Sequence, residues 1–85
     1  MIEAALSVLD NDMQRNELAV FYERHKNRFF GIAYSKLHNP EEAEDAVQET
    51  FQRVADNPDK FFTMADRERV RYVDGIVRHV SVDKF

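Results

Sequence analysis

Asn39-Pro40-Glu41-Glu42-Ala43-Glu44-Asp45-Ala46-Val47-Gln48-Glu49-Thr50-Phe51 is the stretch from which the rest of this chain can be read. Asn39 carries a side-chain oxygen suited to an N-cap, and Pro40 fits the first helical position, where no backbone N–H is needed. Glu42 stands where a capping-box acid reaches back to the cap. Glu41, Glu42, Glu44 and Asp45 crowd the positive end of the helix dipole, which favours carboxylates. Ala43, Ala46, Val47, Thr50, Phe51 and Val54 recur every three or four residues, the spacing of a buried stripe. Asp45, Gln48, Glu49 and Gln52 then point away from the core. They form an acidic face expected to lack basic partners of its own.

Downstream, this helix should stop at Asp56-Asn57-Pro58, because the residue before proline is pushed out of the helical region. Asp59-Lys60-Phe61-Phe62 reads as a connector with two aromatics. Thr63-Met64-Ala65-Asp66 has the form of a capping box opening a further helix. That helix has Val70, Val73, Ile76, Val77 and Val80 as its apolar stripe, and its valines and Gly75 make it depend on packing. Its outer faces carry Arg67, Arg69, Arg71 and Arg78, offset by Glu68 and Asp74, with Tyr72 and His79.

Upstream, an amphipathic helix runs from about Met13 to Leu37, capped by Asn11 or Asp12. Leu18, Phe21, Tyr22, Phe29, Ile32, Ala33 and Leu37 define its buried face. Phe29 and Phe30 are adjacent, so one of them must lean outward. Gly31 inside this helix costs up to about 1 kcal/mol relative to alanine and is expected to mark a close helix approach. Met1 to Leu9 is expected to form a marginal helix that packs on the body or frays.

The bulk composition narrows the class of protein. Eighty-five residues make one domain, near the lower limit for a single core without staples. Absence of cysteine removes disulfides and thiolate zinc sites and points to a reducing, cytoplasmic setting. Only two glycines and two prolines favour long helices. No apolar run is long enough to span a membrane, and no basic leader precedes one. His25, His38 and His79 fall on different elements, with no nucleophile elbow or glycine-rich phosphate loop beside them. The acids of the central helix follow no metal-binding spacing. An enzyme, a cofactor and a metal site are therefore not expected.

The string Glu42-Ala43-Glu44-Asp45-Ala46-Val47-Gln48-Glu49-Thr50-Phe51 closely resembles the second conserved region of bacterial RNA polymerase sigma factors of the extracytoplasmic-function type. Phe21-Tyr22-Glu23-Arg24-His25-Lys26-Asn27-Arg28 and Ala33-Tyr34-Ser35-Lys36-Leu37 are similar to the helix that precedes it in that family. Arg71-Tyr72-Val73 and Ile76-Val77-Arg78-His79-Val80-Ser81-Val82-Asp83 are similar to its promoter-reading helix. The resemblance implies an all-α, three-helix region 2 bundle, here with a short extra N-terminal helix.

The resemblance also implies that Asp45, Gln48 and Glu49, with Gln52 and Arg53 as outer contacts, meet the clamp helices of the polymerase beta-prime subunit. Lys60, Phe61, Phe62, Arg67, Arg71, Tyr72, Arg78 and His79 are then expected to bind the minus-ten promoter element. A flipped base of the single-stranded non-template strand would enter a pocket built partly by the loop from Lys60 to Asp66. At least one of the two phenylalanines is expected in the core instead. His79 departs from the asparagine usual in the family. An anti-sigma factor is a further partner that the resemblance allows. The helix-turn-helix domain that completes such factors (region 4) does not follow in this sequence, and the unfinished helical pattern at Phe85 reads as an excised domain. The alternative is a sigma-like interaction module without DNA binding.

Overall fold

The computed structural model describes residues 2–83, and those residues form five helices and no strand. They are α1 (Glu3–Leu6), α2 (Asp12–Leu37), α3 (Pro40–Asp56), α4 (Pro58–Phe62) and α5 (Asp66–Asp83). The all-α bundle expected from the sequence is present. Its body is α2, α3 and α5 packed against one another, with α1 laid mainly on α3. Met1, Lys84 and Phe85 lie outside the described residues, and so does the reading that the helical pattern continues to Phe85.

The helix ends follow local chemistry. Asn11 caps α2 by accepting from the Gln14 N–H at 3.0 Å, and Asn39 caps α3 by accepting from the Glu42 N–H at 3.0 Å. Between these helices His38 takes a left-handed conformation, φ 54°, and its N–H closes α2 on the Tyr34 carbonyl at 2.8 Å. That is the geometry usually given to glycine at a helix C-terminus. It turns the chain so that α3 returns along α2.

Three expectations are corrected here. The Asp59–Phe62 connector is a short helix, α4, opened by Pro58 and closed by the Thr63 hydroxyl, which donates to the Asp59 carbonyl at 2.8 Å. Thr63 is therefore not the cap of α5. Glu68 supplies the reciprocal half of a box instead, accepting from the Ala65 N–H at 3.3 Å. Gly31 marks no close approach: it is exposed, and a methyl group added there would meet nothing within 4 Å. The reading of residues 1–9 holds in part, since α1 is one turn long but Ala5 and Leu9 are buried.

The core is aromatic in the middle and small at its edges. Phe29, Phe51 and Phe61 are fully buried, and the ring of Phe21 stands 5.9, 6.2 and 5.1 Å from theirs. Such offset and edge-on contacts add to the area term for burying large rings. Val73, Val77 and Val80 bring α5 onto this cluster, while Ala43 and Ala46 let α3 approach closely. Thr50 and Ser81 are buried, and each hydroxyl donates to the carbonyl four residues earlier at 2.7 Å, so neither is left unsatisfied.

Candidate functional site

The acidic face of α3 is built by the register of its buried stripe. With Ala43, Ala46, Val47, Thr50 and Phe51 turned inward, Asp45 and Gln48 are exposed and Glu49 and Gln52 half-buried. The expectation that this face lacks basic partners is overturned by Arg53, whose Nη2 stands 3.0 Å from a Glu49 carboxylate oxygen. Gln52 donates to Asp56 at 3.2 Å. Asp45 and Gln48, by contrast, make no side-chain hydrogen bond or ion pair among the described residues. They are the members of the set free to engage another surface without breaking an internal bond.

Beside Asp45 lies a feature that sequence reasoning did not single out. Phe30 is the phenylalanine that leans outward, and it lines a shallow depression with Pro40, Glu41, Glu44 and Asp45. Tyr34, one turn on, is exposed and stacks on Phe30 with ring centroids 6.0 Å apart and planes 14° from parallel. The adjacency of Phe29 and Phe30 was the available signal.

The eight residues expected at DNA are divided between α4 and α5, and on α5 they divide by helical position. Arg67, Arg71 and Arg78 are exposed and recur at whole-turn spacings along one edge. Tyr72 is half-buried and His79 exposed on the other flank, where the Lys60 ammonium lies 6.0 Å from the Tyr72 ring centroid. Phe62 is half-buried at the end of α4. Phe61 is corrected: it is 0% exposed and belongs to the core, so it offers no stacking face.

Arg69 explains how the α4–α5 junction is held. Its Nε donates to the Phe61 carbonyl at 3.0 Å, and its guanidinium sits 4.6 Å from the Phe61 ring centroid and 5.7 Å from that of Phe62. Carboxylates of Glu17 and Asp66 flank it at 3.8 and 3.7 Å. A depression between α2 and the start of α5 opens beside it, floored by Val20 and Phe21 and rimmed by Glu17, Arg24, Asp66 and Arg69. Its acceptors and donors surround an apolar floor, which is chemistry suited to a planar heterocycle with polar edges. Among the described residues, no three His, Asp or Glu side chains gather as a metal ion would require.

Comparison with known families gives one match. The family model described as Sigma-70 region 2 matches residues 21–83, from the middle of α2 to the end of α5. No curated protein and no solved structure matches the chain.

Proposed function

The chain belongs to the sigma-70 region 2 family, and from that premise we propose that it couples RNA polymerase core to promoter DNA in the manner of an extracytoplasmic-function sigma factor. Membership of this family carries a general role in core binding and promoter recognition, that of a transcription-factor domain. The match over residues 21–83 is the observation that carries the reading, because it contains both the α3 face and the α5 surface.

In this reading the rigid outer face of α3 docks on the beta-prime clamp helices. Asp45 and Gln48 give up no internal bond on docking, so their charge and amide supply orientation and partner choice. Glu49 and Arg53 would exchange their mutual ion pair for contacts to the clamp, and Gln52 its bond to Asp56. The single-stranded non-template strand runs over α4 and α5, where Arg67, Arg71 and Arg78 face phosphates and Tyr72, Phe62 and Lys60 offer stacking and cationic groups. The depression beside Arg69 is the place for a flipped base, since it adjoins the start of α5. His79 retains hydrogen-bonding capacity toward a base edge.

One experiment with two arms tests this. Asp45→Ala, Gln48→Ala and Glu49→Ala are expected to weaken binding to the beta-prime clamp helices while leaving the circular dichroism spectrum unchanged. The double variant Arg71→Ala/Tyr72→Ala is expected to lose affinity for labelled non-template oligonucleotide at low salt. Unchanged clamp affinity in all three single variants would remove the polymerase assignment. Clamp binding without any oligonucleotide binding by the wild-type chain would select the interaction-module alternative.

A further inference from the structure

Two arginines of α2, Arg24 and Arg28, lie on the side of that helix that meets α5. Arg28 on α2 donates from Nε and Nη2 to the two carboxylate oxygens of Asp74 on α5, at 3.0 and 2.6 Å. The Asp74 side chain is 15% exposed and that of Arg28 53% exposed. A two-point pair of this kind fixes the guanidinium plane, and Nη1 is left uncommitted among the described residues. Asp74 stands one turn from both Arg71 and Arg78, so Arg28 enters the basic edge of α5 between them. One turn earlier on α2, Arg24 lines the same depression as Asp66 and Arg69. Arg24, Arg67, Arg71 and Arg78 make no ion pair among the described residues. The half-buried His25 between Arg24 and Arg28 registers the same field: its pKa is lowered first by burial and then by those two arginines.

We propose that Arg24 and Arg28 of α2 complete, with the arginines of α5, a two-helix edge that binds the phosphodiester backbone of DNA, and that Asp74 tempers it by holding Arg28 in an ion pair. Guanidinium forks match phosphate oxygens in geometry and stay charged at every working pH. The bent path from one helix to the other would let a strand follow both elements instead of α5 alone. The proposal rests on the DNA-binding reading above and adds to it residues outside α4 and α5.

Fluorescence anisotropy with a labelled single strand of mixed sequence, across a series of salt concentrations, tests it on the whole chain. Arg24→Gln/Arg28→Gln is expected to weaken binding and to flatten the slope of log affinity against log salt by about 1.4, at about 0.7 per phosphate contact on a single strand. Asp74→Asn is expected to strengthen binding, although it breaks the same ion pair that Arg28→Gln breaks. A merely structural pair would move the two variants in one direction, and that outcome overturns the proposal. An unaltered slope in the double variant, with wild-type binding intact, also overturns it while leaving the α5 reading in place. Failure of the wild-type chain to bind the strand at all removes the DNA reading itself.

Discussion

At the scale of the single residue, His25 shows how packing and charge act on one group. Its ring lies 4.6 Å from that of Phe21 and 6.1 Å from that of Phe29, half-buried against the core. Burial disfavours its charged form most, Arg24 and Arg28 add to that, and Asp66 and Asp74 oppose it, so its pKa lies below the ordinary 6.5. The sign of the consequence follows from proton binding. Below about pH 6.5 an unfolded chain protonates His25 while the folded chain resists, so stability falls as pH drops from there through the folded pKa. Above that value His25 is neutral in both states and contributes no slope. The expected outcome is a decline in melting temperature as pH falls below about 6.5 that is shallower in His25→Phe. Parallel declines in the two proteins would show that other groups carry the effect.

At the scale of the element, Gly31 in α2 and Gly75 in α5 are exposed helix-interior glycines with open space around them. Replacing either by alanine should stabilise the fold by about 0.5–1 kcal/mol, because the helix loses an unfavourable propensity and gains no clash. In a domain of this size that is a rise in melting temperature of roughly 4–8 °C per kcal/mol, readable by thermal denaturation. A fall in either variant would mean that something does pack there. The same residue shows what one-dimensional reading can reach. The starts of α2 and α3 were legible because Asn11, Asn39 and Pro40 act within one turn of themselves. The reading of Gly31 failed because a close approach depends on a second helix, which local pattern does not contain. α4 was illegible for a related reason: five residues cannot sustain a helix unaided, and this one is held by Phe61 in the core. The acidic face of α3 was legible as a face, since the buried stripe fixes its register. The ion pair from Arg28 of α2 was not, because its partner Asp74 lies 46 residues away.

At the scale of the whole molecule, one aromatic cluster ties together segments whose outer surfaces are proposed to meet different partners. Phe21 and Phe29 come from α2, Phe51 from α3 and Phe61 from α4, with the α5 valines closing the other side. This arrangement separates the roles of two neighbouring phenylalanines that the sequence presents as a pair. Phe61 is enclosed, in edge-on contact with Phe21 at 5.1 Å and Phe62 at 4.9 Å, whereas Phe62 keeps part of its ring at the surface. Phe61→Leu removes aromatic contacts and leaves a partly filled void, at a cost of about 1–2 kcal/mol. Total stability for a domain this small is only on the order of 5 kcal/mol, so the loss should lower the melting temperature plainly. Measured well below that temperature, however, affinity for single-stranded oligonucleotide should stay at the wild-type value, because the leucine replaces a buried group. Phe62→Ala should behave in the opposite sense, with a smaller loss of stability and a clear loss of strand affinity, as removal of a stacking platform is worth about 1–3 kcal/mol per base. Thermal melts and anisotropy titrations on the two variants decide this. If Phe61→Leu alone lost strand affinity while still folded, the core would be shaping the DNA surface of α4 directly, and the division of labour between these two rings would have to be abandoned.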